Sequence, residues 1–313
     1  MNKDLITFYI PKHNGANSYR KITTYKNKNC PLYKFHSKAN ISLNKHIIHS
    51  DFAKAYIKKR SIITNARAHK YNDIFICIDI KDFFQSINLN KLSNILYYEL
   101  NKTQIQYFSK IQCKELVKSC SNSTKGIAIG LTPSPVLSNI YLKEFDGILY
   151  GKLKNKNLKN IIYTRYADDI TISYKTNKYD DIDLINTEII DLAKQLLRKY
   201  GLKINAKKTR VINLNVSNHV RITGINITKD ENNYRKLTVG RKIKNDLYQR
   251  AVILLKNPDN VEIRKLESQK LKGLQSYILS VEGIDYQNTY SDKMINVFQQ
   301  YGYKTLKEFI DSL

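Results

Sequence analysis

The chain has 313 residues, enough for one large or two to three smaller domains with a hydrophobic core. Its 53 Lys and Arg against 27 Asp and Glu give a formal net charge of +26, which favours an anionic partner such as a nucleic acid. No apolar run approaches the roughly 18 residues that a membrane span needs, and the N-terminal segment lacks the apolar core of a signal peptide. These features predict a cytoplasmic nucleic-acid-binding protein without a membrane segment.

Strand patterns dominate the start of the chain. A β-hairpin is predicted over residues 8–25, with its turn near His13–Gly15. A short continuous apolar run, Ile74–Ile78, predicts a strand that is buried on both faces and is followed directly by Asp79. After Pro135 the pattern predicts an apolar helix.

The stretch TRYADDITISY, residues 164–174, places Asp168 and Asp169 side by side in an apolar run, at the predicted turn of a further β-hairpin. Burying an unpaired carboxylate costs free energy, and two adjacent negative charges repel each other. We therefore expect a positive group beside this pair.

An amphipathic helix is predicted next, over residues 180–200. It begins with another adjacent pair, Asp180 and Asp181, at a helix N-terminus where the dipole favours acids, so that pair needs no catalytic explanation. Short strands follow, and from about residue 240 the chain is predicted to be helical and basic. The change of composition at 236–240 predicts a domain boundary.

Asp79, Asp168 and Asp169 are predicted to lie at the ends of adjacent strands. Three carboxylates placed in this way can hold two Mg²⁺ ions about 3.5–4 Å apart, since hard oxygen ligands suit that ion. Such a pair of ions serves nucleotidyl transfer. In a simpler interpretation Asp79 caps a helix and the Asp pair only forms a turn. The order of the three acids on a basic chain favours nucleotidyl transfer.

Six motifs give the chain a resemblance to reverse transcriptases, and the first and last of them resemble elements of the retron-type enzymes. They are NARAH (65–69), CIDIKDFFQSI (77–87), IGLTPSPVLSNIYL (129–142), YADD (166–169), LKINAKKTRV (202–211) and RITG (221–224). YADD is similar to the YxDD signature. Two departures are Ile129, where many of these enzymes have Gln, and Ile222, where retron enzymes have Val. The combination and its order are specific to this family.

The resemblance implies an α+β fold with the right-hand polymerase architecture of fingers, palm and helical thumb. The palm consists of an antiparallel sheet with helices. The implied domains are fingers and palm over 1–238 and thumb over 239–313, with fingers at roughly 1–72 and 88–128 and palm at roughly 73–87 and 129–238.

The implied function is that of a bacterial RNA-directed DNA polymerase. Retron enzymes prime on a guanosine 2′-hydroxyl in their own structured noncoding RNA (msr–msd) and copy part of it into a branched RNA–DNA hybrid, msDNA. The resemblance implies dNTP substrates, two Mg²⁺ ions or Mn²⁺ in their place, and antiphage defence with a separate effector protein in a higher-order complex. Two alternatives stay open: another defence-associated reverse transcriptase of the abortive-infection type, and a catalytically silent RNA-binding scaffold.

The resemblance also assigns roles to residues at matching positions. The catalytic and metal-binding carboxylates are Asp79, Asp168 and Asp169, and the acid for the leaving pyrophosphate is Lys208 or its neighbour Lys207. The residues at the incoming nucleotide are Phe84, Gly130, Ser134, Lys58 and Arg60, and those at the primer end are Tyr166 and Ala167. The RNA-binding residues are Asn65, His69, Thr223, Gly224, Arg241, Lys242, Lys244 and Arg250. Simpler roles are a core position for Phe84, a structural hydrogen bond for His69 and a solvated basic face for Lys58 and Arg60.

Overall fold

A computed structural model describes residues 3–11, 19–102, 107–121, 125–177, 181–257 and 261–313. The turn predicted at His13–Gly15 and Asp180 of the second aspartate pair lie outside these residues.

The elements of the first 200 residues are β1 (Leu5–Pro11), β2 (Tyr19–Tyr25), α1 (Pro31–His46), α2 (Ile62–Ala68), β3 (Ile74–Asp79), α3 (Phe83–Ser86), α4 (Leu89–Asn101), α5 (Lys110–Ser119), α6 (Ser134–Tyr141), α7 (Lys143–Lys154), β4 (Lys159–Tyr166), β5 (Asp169–Lys175) and α8 (Ile182–Lys199). The remaining elements are β6 (Arg210–Asn213), β7 (His219–Ile222), β8 (Ile225–Lys229), β9 (Arg235–Thr238), α9 (Arg241–Lys256), α10 (Val261–Glu282), a 3₁₀ helix (Gly283–Thr289), α11 (Asp292–Gln299) and α12 (Leu306–Ser312).

The chain divides into two compact units. The first consists of Met1–Ser61 and Asn72–Ile212, and the second of Ile62–Tyr71 and Asn213–Leu313. This division does not coincide with the boundary predicted at residue 238. The reason is that β7, β8 and β9 form a separate sheet that contacts α2 and α10 within the second unit. The assignment of fingers, palm and thumb to residue ranges stays a prediction.

The first unit is built on an antiparallel sheet with the strand order β4-β5-β3-β6. The predicted buried strand is confirmed as β3, whose Ile74, Phe75 and Ile76 have no exposed surface. It pairs with β5 in a register that sets Asp79 directly opposite Asp169. Helices α4, α6, α7 and α8 contribute side chains to the same hydrophobic core.

Both ends of α8 follow from local sequence. Asp181 is its N-cap, and the side-chain oxygen Oδ1 accepts a hydrogen bond from the backbone N–H of Leu184 at 3.0 Å. At the other end Gly201 has a φ of 69°, and its N–H and that of Leu202 donate to the carbonyls of Arg198 and Leu197. This is a Schellman motif. The helix predicted over 180–200 is confirmed, and Asp181 has the structural role expected of it.

The second unit combines the three-stranded sheet β7-β8-β9 with helices. Helix α2 contacts β7 and β8, while α10 contacts α9, α12 and β9. The helical core includes Leu247, Leu271, Ile278 and Phe298. Among the described helices, none is long and apolar enough to cross a membrane.

Gly130 allows a close approach between β2 and the loop before α6. The backbone N–H of Thr23 donates to the carbonyl of Ile129 at 2.8 Å, and Gly130 has a φ of 107°. A Cβ atom at Gly130 would lie 2.5 Å from the backbone oxygen of Thr23. Glycine is therefore required here for packing of the polypeptide backbone.

We expect Gly130→Ala to lower the free energy of unfolding by about 1–3 kcal/mol, because the substitution combines a strained φ with a backbone clash. Chemical denaturation followed by circular dichroism measures the change. Gly151→Ala is the matched control, since Gly151 lies in α7 and an added Cβ meets no atom within 4 Å. That variant should be neutral or more stable. Equal stability of the two variants would contradict the expected clash.

Candidate active site

Three acidic residues lie at one end of the sheet: Asp79 ends β3, Asp169 begins β5, and Asp168 lies in the turn before it. Tyr166 pairs with Asp169 across the β4–β5 hairpin, leaving Ala167 and Asp168 as its two turn residues. Ala167 has a positive φ of 56°, which a tight hairpin turn requires. The backbone N–H of Ile80 donates to the carbonyl of Asp168 at 3.0 Å, tying the turn to the end of β3. The predicted hairpin and the predicted adjacency of Asp79 to the pair are thus both found.

One positive group beside these acids is Lys208. Its Nζ lies 2.7 Å from Oδ1 of Asp79, whose side chain is 13% exposed. The turn that carries Lys208 is attached to the same strand end, because the N–H of Asn205 donates to the carbonyl of Asp79 at 2.7 Å. Lys207 is exposed and has no ion pair of this kind among the described residues.

The two turn carboxylates have raised pKa values. Desolvation raises the pKa of Asp168, and the neighbouring charge of Asp79 adds to the effect. The pKa of Asp169 is raised to about 6, first by desolvation and then by the charges of Asp168 and Asp79. Solvent still reaches the Asp169 side chain, although protein atoms surround its carboxylate closely. The hydrogen bond that Lys208 donates to Asp79 raises the pKa of Lys208.

These donors fit a divalent cation by their chemistry. Hard carboxylate oxygens with raised pKa values gain most from a nearby positive charge. The positive charges that act on Asp168 and Asp169 lower the pKa of each acid by less than burial and like charge raise it. Within the described parts of the chain, no three His, Cys, Asp or Glu side chains already converge on one point. Asp79 instead points its Oδ1 at Lys208, so a cation ligated by that oxygen would replace the Lys208 contact.

The residues predicted at the nucleotide have mixed surroundings. Phe84 is 9% exposed and packs edge to face on Phe83, so its described position is in the core. Ser134 is fully buried, and its hydroxyl has no hydrogen-bond partner among the described atoms.

The two basic residues predicted at the nucleotide differ in their contacts. Arg60 donates hydrogen bonds to the carbonyls of Ser50 and Ala53, so it stabilises the loop to which it belongs and is not part of a solvated basic face. Lys58 is exposed, and Gly130 has the packing role described above.

Two retron-like motifs meet in the second unit. Asn65, with no exposed surface, donates from Nδ2 to the hydroxyl of Thr223 at 3.2 Å. Thr223 and Gly224 form the two-residue turn between β7 and β8, and both have positive φ. A β-branched residue at positive φ is rare. Asn65 and His69 are fully buried, so the structure does not support direct RNA contacts by either and favours structural roles.

The predicted RNA-binding cations of α9 differ in exposure. Arg241 and Lys242 are exposed. Lys244 is only 7% exposed and forms an ion pair with Glu282 at 3.0 Å, so the structure does not support a phosphate contact by this residue. Arg250 forms ion pairs with Asp246 and Glu267, which offset its charge.

Sequence reasoning missed a buried arginine next to the turn. Arg165 on β4 has no exposed surface and forms an ion pair with Asp146 of α7 at 2.7 Å. A charged residue in an otherwise apolar strand was the available signal. Two further residues that interact electrostatically with Asp168 were also missed, Arg20 and Tyr56. The charge of Arg20 lowers the pKa of Asp168, and the charge of Asp168 raises the pKa of Tyr56.

Comparison with known proteins decides the family. Residues 10–248 match the family described as "Reverse transcriptase (RNA-dependent DNA polymerase)". The chain belongs to this family. Membership confirms the predicted enzyme class, that of RNA-directed DNA polymerases.

Curated relatives confirm the resemblance to retron-type enzymes. The chain is 29% identical over 238 residues to the Retron Ec73 reverse transcriptase of Escherichia coli, covering 74% of this chain and 70% of the relative. It is 25% identical over 244 residues to the Retron Ec83 reverse transcriptase of the same organism, covering 77% and 72%.

A solved structure supports the predicted fold class. Telomerase from Candida albicans, solved with a fragment of telomeric RNA, has a TM-score of 0.51 and 13% identity to this chain. The match covers 98% of this chain and 65% of the telomerase chain. This likeness concerns the fold alone, an α+β polymerase fold with antiparallel sheets.

The raised pKa of Asp169 predicts a pH-dependent cost to stability. Because its pKa rises from 3.8 to about 6 on folding, ionised Asp169 destabilises the metal-free fold, and this penalty develops between those two pH values. We expect Asp169→Asn to be more stable than the wild type at pH 7–8 and to lose this advantage below about pH 4. Thermal unfolding with EDTA across this pH range measures the difference.

Asp181→Ala is the contrasting control. It removes an acid from the other aspartate pair, but that acid caps α8, so its loss should lower stability by about 1 kcal/mol at neutral pH. An Asp169→Asn protein that is no more stable than the wild type at pH 7–8 would contradict the desolvated environment of Asp169.

Proposed function

We propose that this chain is a retron reverse transcriptase, which primes on its own structured noncoding RNA and copies part of it into a branched RNA–DNA hybrid. The observation that carries the proposal is the register that sets Asp79 opposite Asp169, beside the turn that contains Asp168. Similarity to several retron reverse transcriptases supports the retron type over the other defence-associated enzymes. The three retained acids argue against a catalytically silent scaffold.

In this proposal Asp79, Asp168 and Asp169 hold two Mg²⁺ ions, or Mn²⁺ in their place. When bound, the ions lower the pKa of the attacking hydroxyl and neutralise charge on the triphosphate. The protein contributes the positions of the carboxylates, which are tied together by the β3–β5 register and by the bond from Ile80 to Asp168. Tyr166 and Ala167, next to these acids, would contact the primer end.

Lys208 would supply a proton to the leaving pyrophosphate. Its Nζ is protonated at neutral pH and has a proton to donate. The hydrogen bond to Asp79 raises its pKa and therefore opposes that transfer while the contact lasts. Release of Asp79 to a cation would free the ammonium group for the phosphate oxygens. Of the two neighbouring lysines, only Lys208 contacts a catalytic carboxylate in the described structure.

The remaining parts of the proposal concern partners. A net charge of +26 suits the msr–msd RNA and its hybrid product, whose phosphates would be contacted by exposed cations such as Arg241, Lys242 and Lys58. The turn of Thr223 and Gly224 would contribute by its shape, with Asn65 and His69 behind it. We further propose dNTP substrates, a cytoplasmic location, and antiphage defence with a separate effector in a higher-order complex.

Sequencing the nucleic acid that copurifies with the protein tests this proposal. We expect a branched RNA–DNA hybrid with the wild type, and the RNA without its DNA with Asp168→Asn plus Asp169→Asn, because the double variant loses two ligands but keeps its basic surface. Asp191→Asn plus Glu188→Gln makes the same charge change on α8 and should retain the DNA. Normal DNA from the first variant would overturn the two-metal assignment, and unbranched random or homopolymeric DNA from the wild type would favour another defence-associated enzyme.

A comparison of the adjacent lysines tests the acid. We expect Lys208→Ala to lower kcat for nucleotide addition by about 10²-fold or more, as loss of a general acid does. Lys207→Ala, which removes an equal charge one residue away, should change kcat less than about threefold, since surface charges act weakly. Steady-state kinetics on a primed RNA template give both values. Equal losses of kcat in the two variants would indicate that Lys207 and Lys208 only attract phosphate groups, and would contradict the assignment of Lys208 as the acid.

A further inference from the structure

The buried ion pair between Arg165 and Asp146 lies directly behind the catalytic turn. Neither side chain has any exposed surface. The contact is bidentate, with Nε of Arg165 2.8 Å from Oδ1 of Asp146 and Nη2 2.7 Å from Oδ2. The hydroxyl of Tyr163 also donates to Oδ1 of Asp146 at 2.6 Å. The pair is thus held in one geometry on all sides.

Stability alone does not account for this pair. Removing two charges from water costs more free energy than their attraction usually returns, and apolar residues of similar volume often stabilise a core equally well. A buried pair with fixed geometry suits a site where orientation matters, since each of its hydrogen bonds has one direction.

The third nitrogen of the guanidinium is directed at the turn. Nη1 of Arg165 lies 3.2 Å from the carbonyl oxygen of Ala167 and 3.2 Å from Oδ1 of Asn139 on α6. Ala167 has the positive φ of the hairpin turn and precedes Asp168 directly. The arginine therefore holds the peptide group that joins Ala167 to the first catalytic acid.

Hydrogen bonds also fix the backbone at Arg165. Its N–H donates to the carbonyl of Phe52 at 2.8 Å, and its carbonyl accepts from the N–H of Lys54 at 2.7 Å. The amide of Asn139 donates to the carbonyl of Ala55 at 2.8 Å. Segment 52–55, α6 and α7 thus all meet β4 at Arg165.

We propose that Arg165, anchored by Asp146, is a positioning residue that sets the orientation of the Ala167–Asp168 peptide and so places the two turn carboxylates for metal binding. This inference rests on the proposed two-metal polymerase function. Arg165 touches neither substrate nor metal in this arrangement. It acts through the Ala167 carbonyl, in the way that residues behind a metal ligand fix its orientation.

The variant Arg165→Lys tests this role. Lysine keeps the charge for Asp146, but its single nitrogen cannot also bond the Ala167 carbonyl and Asn139 in the planar geometry of a guanidinium. We expect the Kd for Mn²⁺ to rise about tenfold, as loss of an outer hydrogen-bond partner does. Mn²⁺ binding is measured by electron paramagnetic resonance with a dideoxy-terminated primer on RNA and bound dNTP, so that no turnover occurs. We expect kcat to fall while the affinity for primed RNA is unchanged.

Tyr174→Phe is the matched control. Tyr174 lies at the far end of β5, is fully buried, and donates its hydroxyl to Oδ1 of Asn186 at 3.0 Å. Its loss should lower the melting temperature without altering Mn²⁺ affinity. If Arg165→Lys lowers the melting temperature but leaves Mn²⁺ affinity and kcat within twofold of the wild type, Arg165 is only structural and the inference is overturned.

A second variant covers the case in which Arg165→Lys does not fold. Arg165→Met with Asp146→Leu replaces the pair by apolar side chains and removes the contact to Ala167 without leaving a buried charge. It should fold and show the same weakened Mn²⁺ binding, and normal Mn²⁺ binding would overturn the inference.

The wild type distinguishes failure of this inference from failure of the proposed function. A wild-type protein that binds Mn²⁺ but makes no DNA would contradict the proposed function alone. A wild-type protein that binds no Mn²⁺ would contradict both the proposed function and the role of Arg165.

Discussion

The pairing register between β3 and β5 is the constraint on which the candidate site depends. It places Asp79 opposite Asp169, and a shift by one residue would move one of the two carboxylates to the other face of the sheet. In this register the apolar side chains of Ile74, Ile76 and Ile78 pack in the core. Hydrophobic packing along the strands thus brings like charges together at their ends.

The accumulated negative charge explains the features around the turn. Desolvation raises the pKa of Asp169 to about 6, and the neighbouring charges of Asp168 and Asp79 add to this effect. Lys208 relieves part of this repulsion from the solvent side, and the Arg165–Asp146 pair holds the turn from the core side. A site arranged in this way is less stable when empty than when a cation is bound. Its stability and its proposed function are therefore opposed in the metal-free protein.

The basic side chains of this protein fall into two groups, those that bond within the protein and those that are exposed. Some predicted ligands of RNA or nucleotide, such as Lys244 and Arg60, make hydrogen bonds within the protein instead. Others, such as Arg241 and Lys242, are exposed. Counting cations along the sequence does not separate these groups, because the difference depends on whether an acid or a carbonyl lies nearby in the fold. The basic surface available to a nucleic acid is smaller than the composition suggests.

Sequence alone indicated several of the elements and singled out the three acids. Periodicity revealed β3 and α8, and motif order revealed the family, because both depend on residues close together in the chain. Tertiary structure alone decided what each charge contacts. It placed Lys208 rather than Lys207 against Asp79, buried Asn65 beside Thr223, and placed Arg165 behind Ala167. Such contacts join distant segments, and their geometry depends on how whole sheets and helices pack, which no local pattern encodes.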